Sequence, residues 1–413
     1  MGSELLNGFR MLDLSNEKGA LCGRIFADLG ADVIKIEPPA GCSTRRIPPY
    51  LEDRAGPDRS LYFLAYQAGK RSVTIDIESA AGGDLARSLI KKSDFVVESF
   101  AVGYLDSIGL GYQALAALNP RIIHTSITPF GDRGPGKTYK GHDINVWAAG
   151  GMMYLMGKPD RPPLQMSLPQ AGLHAGAEAA VASLIAHYAR GATGEGQHVV
   201  VDMQACIVWT LMNEQAMPIL HGDYLKRTGV HVGSAGVRRK VIFQCRDGYI
   251  SALIGAGAST KALADWMLEC GFGAQWMKTK DWLNWTPAIA MTKNDQEQIL
   301  DLEERVQRFF MTMTKREIYE EALKRRLLLA PVADASDIAS DPQLKAREYF
   351  VPIRHETLDR TLTLPGPFAK LSQTPIGPSR RAPTLGEHTD EVLSEIAGYE
   401  AAKIKALRSV GAI

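Results

Sequence analysis

Along the first 130 residues the spacing of apolar positions switches repeatedly between a helical period and a two-residue period. Met11-Leu12-Asp13-Leu14 reads as a short strand, and residues 20–29 as a helix stopped at Gly30. Residues 32–37 (DVIKIE) then alternate in period two and run into Pro38-Pro39, which cannot continue a ladder. Residues 72–77 form a β-rich run, 80–92 have helical spacing, and 94–97 follow as a strand. A helix over 111–118 and a strand over 121–127 complete the series. Strands separated by helices predict a parallel sheet covered on both faces, an α/β domain of Rossmann-like type.

Past the turn-rich loop at 132–137 the texture changes. Residues 171–190 are dense in Ala and Gly, as suits a helix lying close against other backbone, and 198–203 resume as a strand. From about residue 225 a separate unit is expected. It has a glycine-bearing loop at 230–237, a strand pair near Val241-Ile242-Phe243 and Tyr249-Ile250, and a helix over 296–310. A further helix begins at Thr314, where Glu317 three residues on completes a capping box. The tail from 341 to 393 carries seven prolines and short extended runs, and reads as an arm packed on something else.

Length and composition narrow the class. A chain of 413 residues with 45% hydrophobic and 23% charged positions is globular, with two or three domains. Lys plus Arg (47) nearly cancels Asp plus Glu (46), which removes any general attraction to nucleic acid or an anionic membrane. No apolar run approaches the roughly 20 residues of a spanning helix, and MGSELLNGFR lacks the pattern of a signal peptide. The five cysteines are scattered without a CxxC, which argues against a disulfide framework or a zinc site. A soluble cytoplasmic protein without bound metal is the expectation.

Few short motifs carry chemistry. Ile254-Gly255-Ala256-Gly257-Ala258-Ser259-Thr260 nearly spells the dinucleotide turn GxGxxG, but Thr260 takes the third glycine's place and the motif lies outside the best βαβ region. A plain helix-entry turn is expected there. Histidine is the side chain type suited to proton transfer at neutral pH, which makes His142 a candidate general base, with Asp143 orienting it or capping the next helix. Adjacent side chains on a helix do not face each other, which weighs against a direct couple. Lys70-Arg71 at a strand entrance is a candidate phosphate contact, set against an ordinary solvated pair. Arg45-Arg46 and Arg238-Arg239-Lys240 carry the same two readings, and the cations from Lys315 to Arg326 read as a solvated helix face. Without a GxSxG elbow, an HExxH pair or a phosphate loop, these patterns assign no chemistry.

The residues Leu29-Gly30-Ala31-Asp32-Val33-Ile34-Lys35-Ile36-Glu37-Pro38-Pro39 resemble the opening signature of the family III CoA-transferases. That family includes formyl-CoA and carnitine CoA-transferases and, as a relative, α-methylacyl-CoA racemase. Further similarities run along the whole chain in order. They are Gly69-Lys70-Arg71-Ser72, DFVVESF at 94–100, Gly109-Leu110-Gly111-Tyr112, Thr193-Gly194-Glu195-Gly196-Gln197, Ala330-Pro331-Val332, Asp341-Pro342-Gln343-Leu344 and Leu385-Gly386-Glu387-His388-Thr389. The resemblance implies a large Rossmann-like CoA-binding domain (1–220), a smaller α+β domain (221–335) and a C-terminal arm (336–413) returning to the large one. Two chains would thread through each other as interlocked rings. A CoA thioester would be substrate, with no resident cofactor or metal, and a family aspartate would form acyl and CoA adducts. Lys70, Phe100 and Lys140 match family CoA-contact positions, and Arg71, Ser99 and Lys18 join them as candidates.

The departures from the family pattern are as informative. Counted back from Arg190 and Thr193-Gly194, the nucleophilic aspartate falls on Gly172, and no Asp or Glu occurs from Arg161 to Ala177. The Ala-Gly-Pro that normally follows the first strand is missing, and Ser15-Asn16-Glu17-Lys18-Gly19-Ala20-Leu21 is one residue short. Ser99 stands where many members have Asn, and Ser107 where an Arg often helps bind the nucleotide. Three readings follow. The chain is the aspartate-lacking subunit of a hetero-oligomer with a paralogous catalytic partner, in the manner of the succinyl-CoA:(R)-benzylsuccinate CoA-transferases of aromatic degradation. Or it is a racemase using His142, with Glu178 replacing the second base only where the helix turns it inward. Or it is a non-catalytic CoA-binding homomer.

Overall fold

The computed structural model describes residues 5–212, 219, 222, 224–232, 238–255, 257–285, 292–378 and 380–413. Two compact units divide the chain. Met1–Met153, Gln165–Asn213 and Pro342–Ile413 make the first, and Tyr154–Leu164 with Glu214–Asp341 the second.

The first unit is built on a six-stranded sheet. Its strands are β1 (Arg10–Asp13), β2 (Asp32–Glu37), β3 (Arg71–Thr74), β4 (Phe95–Glu98), β5 (Ile123–Thr128) and β6 (His198–Asp202). They lie in the order β3-β2-β1-β4-β5-β6, and every neighbouring pair is parallel. The helices between and after them are α1 (Ala20–Asp28), α2 (Leu61–Tyr66), α3 (Ala80–Ile90), α4 (Tyr104–Ser107), α5 (Tyr112–Leu118), α6 (Asp143–Ala149), α7 (Met152–Leu155), α8 (Ala171–Thr193) and α9 (Met203–Trp209). Alternation along the strands sorts side chains to two faces. Leu12, Ile34, Val73 and Val96 pack with Leu85 and Leu89 of α3 and Leu115 of α5. Phe95 turns the other way and meets Phe26 of α1 edge-on, ring centroids 4.9 Å apart. Helices therefore cover both faces, as the alternating pattern predicts.

Several element ends differ from the sequence reading. β3 stops at Thr74 rather than running to 77, because its partner β2 ends at Glu37: Ile75 N–H makes the closing ladder bond to the Glu37 carbonyl (2.7 Å), and Asp76 N–H on the outer side meets the Ala412 carbonyl (2.9 Å). The helix expected from 296 begins at Lys293, since the Thr292 hydroxyl caps the Asp295 N–H. The helix after Thr314 spans Lys315–Arg325 with the capping box to Glu317 in place.

The Ala- and Gly-rich helix α8 is 23 residues long. Its small residues have a packing reason. A methyl group added at Gly176 would stand 3.0 Å from Leu21 Cβ and 3.2 Å from Cys22 N, so α1 approaches α8 at backbone distance.

The C-terminal segment returns to β3. Gly69 N–H donates to the Arg380 carbonyl (3.0 Å), His388 N–H to the Ser72 carbonyl (2.9 Å), and Gly386 N–H to Ser72 Oγ (2.9 Å). Val392, Leu393 and Ile404 then join the cluster over α3. An antiparallel hairpin, Phe350–His355 with Arg360–Pro365, precedes these contacts.

The second unit holds an antiparallel sheet of Ile242–Cys245, Gly248–Ala252 and Leu329–Pro331 over a core that includes Trp266, Met267, Phe309 and Phe310. The near-GxGxxG segment lies between Gly248–Ala252 and the helix Gly257–Glu269, and Gly255 N–H donates to Thr260 Oγ1 (3.1 Å). With an antiparallel strand before it, this is the helix-entry turn expected. Ala256 of that motif and residues 233–237 of the expected loop lie outside the described residues. Among the described residues no helix is long and apolar enough to cross a membrane.

Candidate functional site

In open α/β sheets the crevice forms where the strand order reverses, beyond the carboxyl ends of the strands. Here that point lies between β1 and β4. The loop leaving β1 is pinned from below by three charges. Asp13 accepts from Lys70 Nζ through Oδ2 (2.7 Å) and from Lys35 Nζ through Oδ1 (3.3 Å), and all three side chains are buried. Asp13 Oδ1 also takes the Ser15 hydroxyl (2.6 Å) and backbone N–H (2.9 Å), while Lys35 Nζ donates to the Ser15 carbonyl. Burial alone would push the Asp13 carboxyl up. The two ammonium groups outweigh it and hold the group at about 2. From the β4 side, Ser99 Oγ accepts from Asn16 N–H and donates to Asn16 Oδ1, both at 2.8 Å.

Two cavities open on either side of this loop. One, of about 390 Å³, is lined by Ser15 and Asn16, by Pro38, Ser43 and Arg46 after β2, and by Phe100 with Tyr104, whose rings stand 4.7 Å apart. Arg46 is exposed, its guanidinium touching only the Ala40 carbonyl among the described residues. The other, of about 500 Å³, is lined by Glu17, Lys18, Pro48, Tyr62, Tyr66, His142, Asp143 and Gly172. Asn16 borders the first and Glu17 the second, so the two meet across one peptide unit.

Gly172 sits in the first turn of α8 and is buried. A Cβ there would lie 3.0 Å from the Glu17 carbonyl oxygen and 3.2 Å from Lys18 Cα. A side chain at 172 would thus press on the backbone of the β1–α1 loop, which would have to give by a few tenths of an ångström. The Gly172 N–H is held by Asp143 Oδ1 (3.2 Å), which gives the α8 N-terminus the anionic cap that Gln170 does not provide. Asp143 therefore does cap a helix, but not its own. His142 is the N-cap residue of α6, and its backbone N–H donates to Asn145 Oδ1 (3.0 Å).

The structure divides the sequence candidates. Lys18 and His142 border the 500 Å³ cavity, Phe100 the other, and Ser99 is buried as the clamp on Asn16. Lys140 is exposed on the loop before α6. Lys70 is fully buried, its ammonium spent on Asp13 and the Ala20 carbonyl (3.1 Å), so it holds the loop rather than presenting charge to a phosphate. Arg71 is spent on Asp32 (2.6 Å) and Glu391 (2.8 Å). Arg45 is buried between Glu37 (2.7 Å) and Asp58 (2.6 Å) with its guanidinium 3.8 Å over the Phe63 ring. Glu178 is exposed on α8, away from His142's cavity. Sequence reasoning missed Asp13, Lys35, Tyr62 and Tyr66, whereas Arg46, one of its two-way readings, borders the 390 Å³ cavity. The one signal was Lys35 itself, a charge inside the otherwise apolar alternation of β2.

Glu98, at the end of β4, accepts from the Phe100 N–H (2.7 Å) and so shapes the turn that carries Ser99. Burial pushes its carboxyl up to about 7, with the Ser126 hydroxyl and the Phe100 N–H opposing. A raised carboxyl takes up a proton on folding, so stability falls as pH rises from about 4.5 to 7, by about 3 kcal/mol for this group. Glu98→Gln keeps an acceptor for Phe100 and is expected to remove that part of the slope. Urea midpoints of both proteins at pH 5 and pH 7.5 test it, and equal slopes would refute the assignment.

A model of "CoA-transferase family III" matches residues 6–389. Over 411 residues, 98% of this chain and 97% of the other, the chain is 34% identical to succinyl-CoA:(R)-benzylsuccinate CoA-transferase subunit BbsE of Thauera aromatica. It is 30% identical over 408 residues, 96% of each chain, to succinate–glutarate CoA-transferase of Agrobacterium fabrum. A solved CAIB/BAIF family protein from Brucella suis superposes with a TM-score of 0.82 at 29% identity, covering 96% of this chain and 100% of that one.

Proposed function

The chain belongs to CoA-transferase family III, and from that premise we propose that it is one subunit of a two-chain enzyme moving CoA between a thioester such as succinyl-CoA and a carboxylic acid. In this reading the nucleophilic carboxylate comes from a paralogous partner, and this chain supplies a CoA seat and the walls around it. The observation that carries the reading is Gly172. A carboxylate nucleophile must attack the thioester carbonyl and hold the acyl group while thiolate leaves. A glycine under loop backbone offers no atom for that bond.

The CoA seat follows the two cavities. Arg46, Ser43 and the Ser15–Asn16 turn would hold phosphate, and Phe100 would stack the adenine with Tyr104 behind it. The thioester end would pass the β1–α1 loop toward Lys18 and His142. Lys140 would approach the nucleotide from outside, while Lys70 and Arg71 act beneath the loop and at the arm.

A partner is supported by what α8 leaves uncovered. Val181, Ile185 and Tyr188 recur at four and then three residues and are 54%, 63% and 87% exposed. An apolar stripe of that kind marks a surface that another chain covers. The relative named above is itself a subunit. We infer interlocked rings, with the arm from 336 onward closing this chain's ring. A racemase reading gains nothing from the site, since Glu178 does not reach the cavity and Gly172 is no base.

The purified chain alone is therefore expected to transfer no CoA from succinyl-CoA to any acid, and to gain activity on addition of the paralogous subunit. Native mass spectrometry of the complex from its source cells, followed by turnover assays of each component, tests this. Activity of the homomer, surviving removal of contaminants, would overturn the reading.

A further inference from the structure

We propose that the cavity between the hairpin strand Phe350–His355 and the returning C-terminal segment binds a phosphate group, its oxygens on the Arg380 guanidinium and the outer nitrogen of His388. The site shares no lining residue with the two cavities beside the β1–α1 loop, and its occupation needs neither CoA nor a partner chain.

Both donors are fixed in place by the free edge of β3. That strand ends the sheet, so its outward N–H and C=O groups need partners from elsewhere in the chain. Gly69, just ahead of the strand, exchanges two bonds with Arg380. Its N–H donates to the Arg380 carbonyl (3.0 Å), and its carbonyl accepts from Arg380 Nε (2.9 Å). Ser72 does the same with His388. Its carbonyl takes the His388 N–H (2.9 Å), and its own N–H donates to His388 Nδ1 (3.3 Å). Burial holds this imidazole below the usual histidine range, with Glu387 opposing. A neutral imidazole that accepts at Nδ1 carries its proton on Nε2, which makes the outer nitrogen a donor.

What is left over points to an anion. Arg380 and His388 both line the cavity, whose volume is about 470 Å³. Among the described residues the two Nη groups of Arg380 make neither a hydrogen bond nor an ion pair, and His388 Nε2 has no partner. The other charges of the lining are engaged. Arg381 holds Glu356 through Nε (2.9 Å) and Glu387 through Nη2 (2.6 Å), Arg354 pairs with Asp359, and Lys70 with Asp13. A guanidinium fork alone suits the two oxygens of a carboxylate. An imidazole N–H near enough to feel the Arg380 charge adds a further donor, and the pair favours a group with more oxygens and a double charge. Because Nε and Nδ1 are already anchored, little side-chain freedom is lost when such a group binds. Val351, Pro352 and Ile353, with Pro378 and Pro383, leave room beside the donors for a small organic body.

Calorimetry on the full chain without CoA tests this with three probes at pH 7.5, namely inorganic phosphate, ethyl phosphate and acetate. Both phosphates are expected to bind, and acetate at least tenfold more weakly. Tighter binding of ethyl phosphate would make the natural ligand a phosphate monoester, and equal binding the free ion. Arg380→Met should weaken both phosphates at least tenfold, and Arg380→Lys, which keeps the charge without the fork, by a smaller factor. His388→Asn sets an amide oxygen where Nδ1 accepts from Ser72 and removes the outer donor, for a several-fold loss. Urea midpoints check that the variants fold, and the Arg380→Lys protein carries the test where Arg380→Met does not. No binding of either phosphate at millimolar concentration, acetate bound as tightly as phosphate, or unchanged affinity in the Arg380 and His388 variants would overturn the proposal.

Discussion

Asp13→Asn is expected to cost the fold about 3–5 kcal/mol, the usual penalty for breaking a buried ion pair by removing one member. The reason lies in what stays behind. Lys35 and Lys70 are both fully buried, and Asp13 is the carboxylate that both contact. Asparagine keeps the size but leaves two ammonium groups without a counter-charge, and one of them must lose its proton or draw in water. The same change frees Ser15, whose hydroxyl and N–H are on Asp13 Oδ1, so the loop between the two cavities loosens with it. Asp13→Asn combined with Lys70→Met should recover part of the loss, because it removes one orphaned charge. Acid should act in the same sense. The Asp13 carboxyl is held at about 2 against 3.8 for an unperturbed aspartate. Its stabilisation is therefore complete above about pH 4 and lost as pH falls through 2, and amounts to about 2 kcal/mol. Urea midpoints of the three proteins at pH 7 check the ordering. A single variant as stable as the starting protein would show that the triad does not hold the loop.

Gly172→Asp is expected to restore no transferase activity to the isolated chain and to destabilise it by about 1–3 kcal/mol, the usual cost of overpacking. Its Cβ would stand 3.0 Å from the Glu17 carbonyl oxygen and 3.2 Å from Lys18 Cα. These are backbone atoms of a loop anchored at Ser15 by the ion triad, not the movable tip of a side chain. The new carboxylate would also stand beside Asp143, whose Oδ1 already holds the Gly172 N–H, and two like charges at one helix end repel. Gly172→Ala should lose less stability, since it adds the contact without the charge, which separates the steric part from the electrostatic part. Lengthening the loop by one alanine between Glu17 and Lys18 in the Gly172→Asp protein should regain stability, since the loop then has slack to move away. Urea midpoints of all four proteins, with succinyl-CoA turnover, decide the matter. Robust turnover by the single Gly172→Asp variant would mean the loop moves freely and that a missing side chain was the whole defect.

Much of the architecture was legible because its causes are local. The period-two run of residues 32–37 and the proline pair after it placed β2 to the residue, and Thr314 with Glu317 placed the start of the helix Lys315–Arg325. Caps and periodicity act over three or four residues, and a reader of the sequence sees all of the groups involved. The density of Ala and Gly in residues 171–190 correctly foretold close backbone approach, which Gly176 and α1 make explicit. Ends set by distant partners were missed, as at Thr74, whose pairing ends where Glu37 of β2 does.

The candidate site was half legible. Family motifs led to Lys18, Phe100, His142 and Gly172, and all four border the two cavities. They also led to Lys70 and Arg71, whose charges turn inward. Nothing near Lys70 in the chain reveals that Asp13, 57 residues earlier, takes its ammonium, nor that Lys35, 22 residues after Asp13, shares that carboxylate.

Taken by itself, then, the sequence determined the alternation of strands and helices, the family membership and the glycine at position 172, because each is written in neighbouring residues or in their order. Only the tertiary structure decided what those residues do. Placing β2 beside β1 in parallel register sets Lys35 opposite Asp13, and it is this sheet order that makes a buried triad of three scattered charges. Packing α8 against the β1–α1 loop turned Gly172 from a missing side chain into a close backbone contact, and it brought Asp143 from another helix to cap the end that Gln170 leaves bare. Charge and packing act through space, and space is settled only when the strands have taken their order.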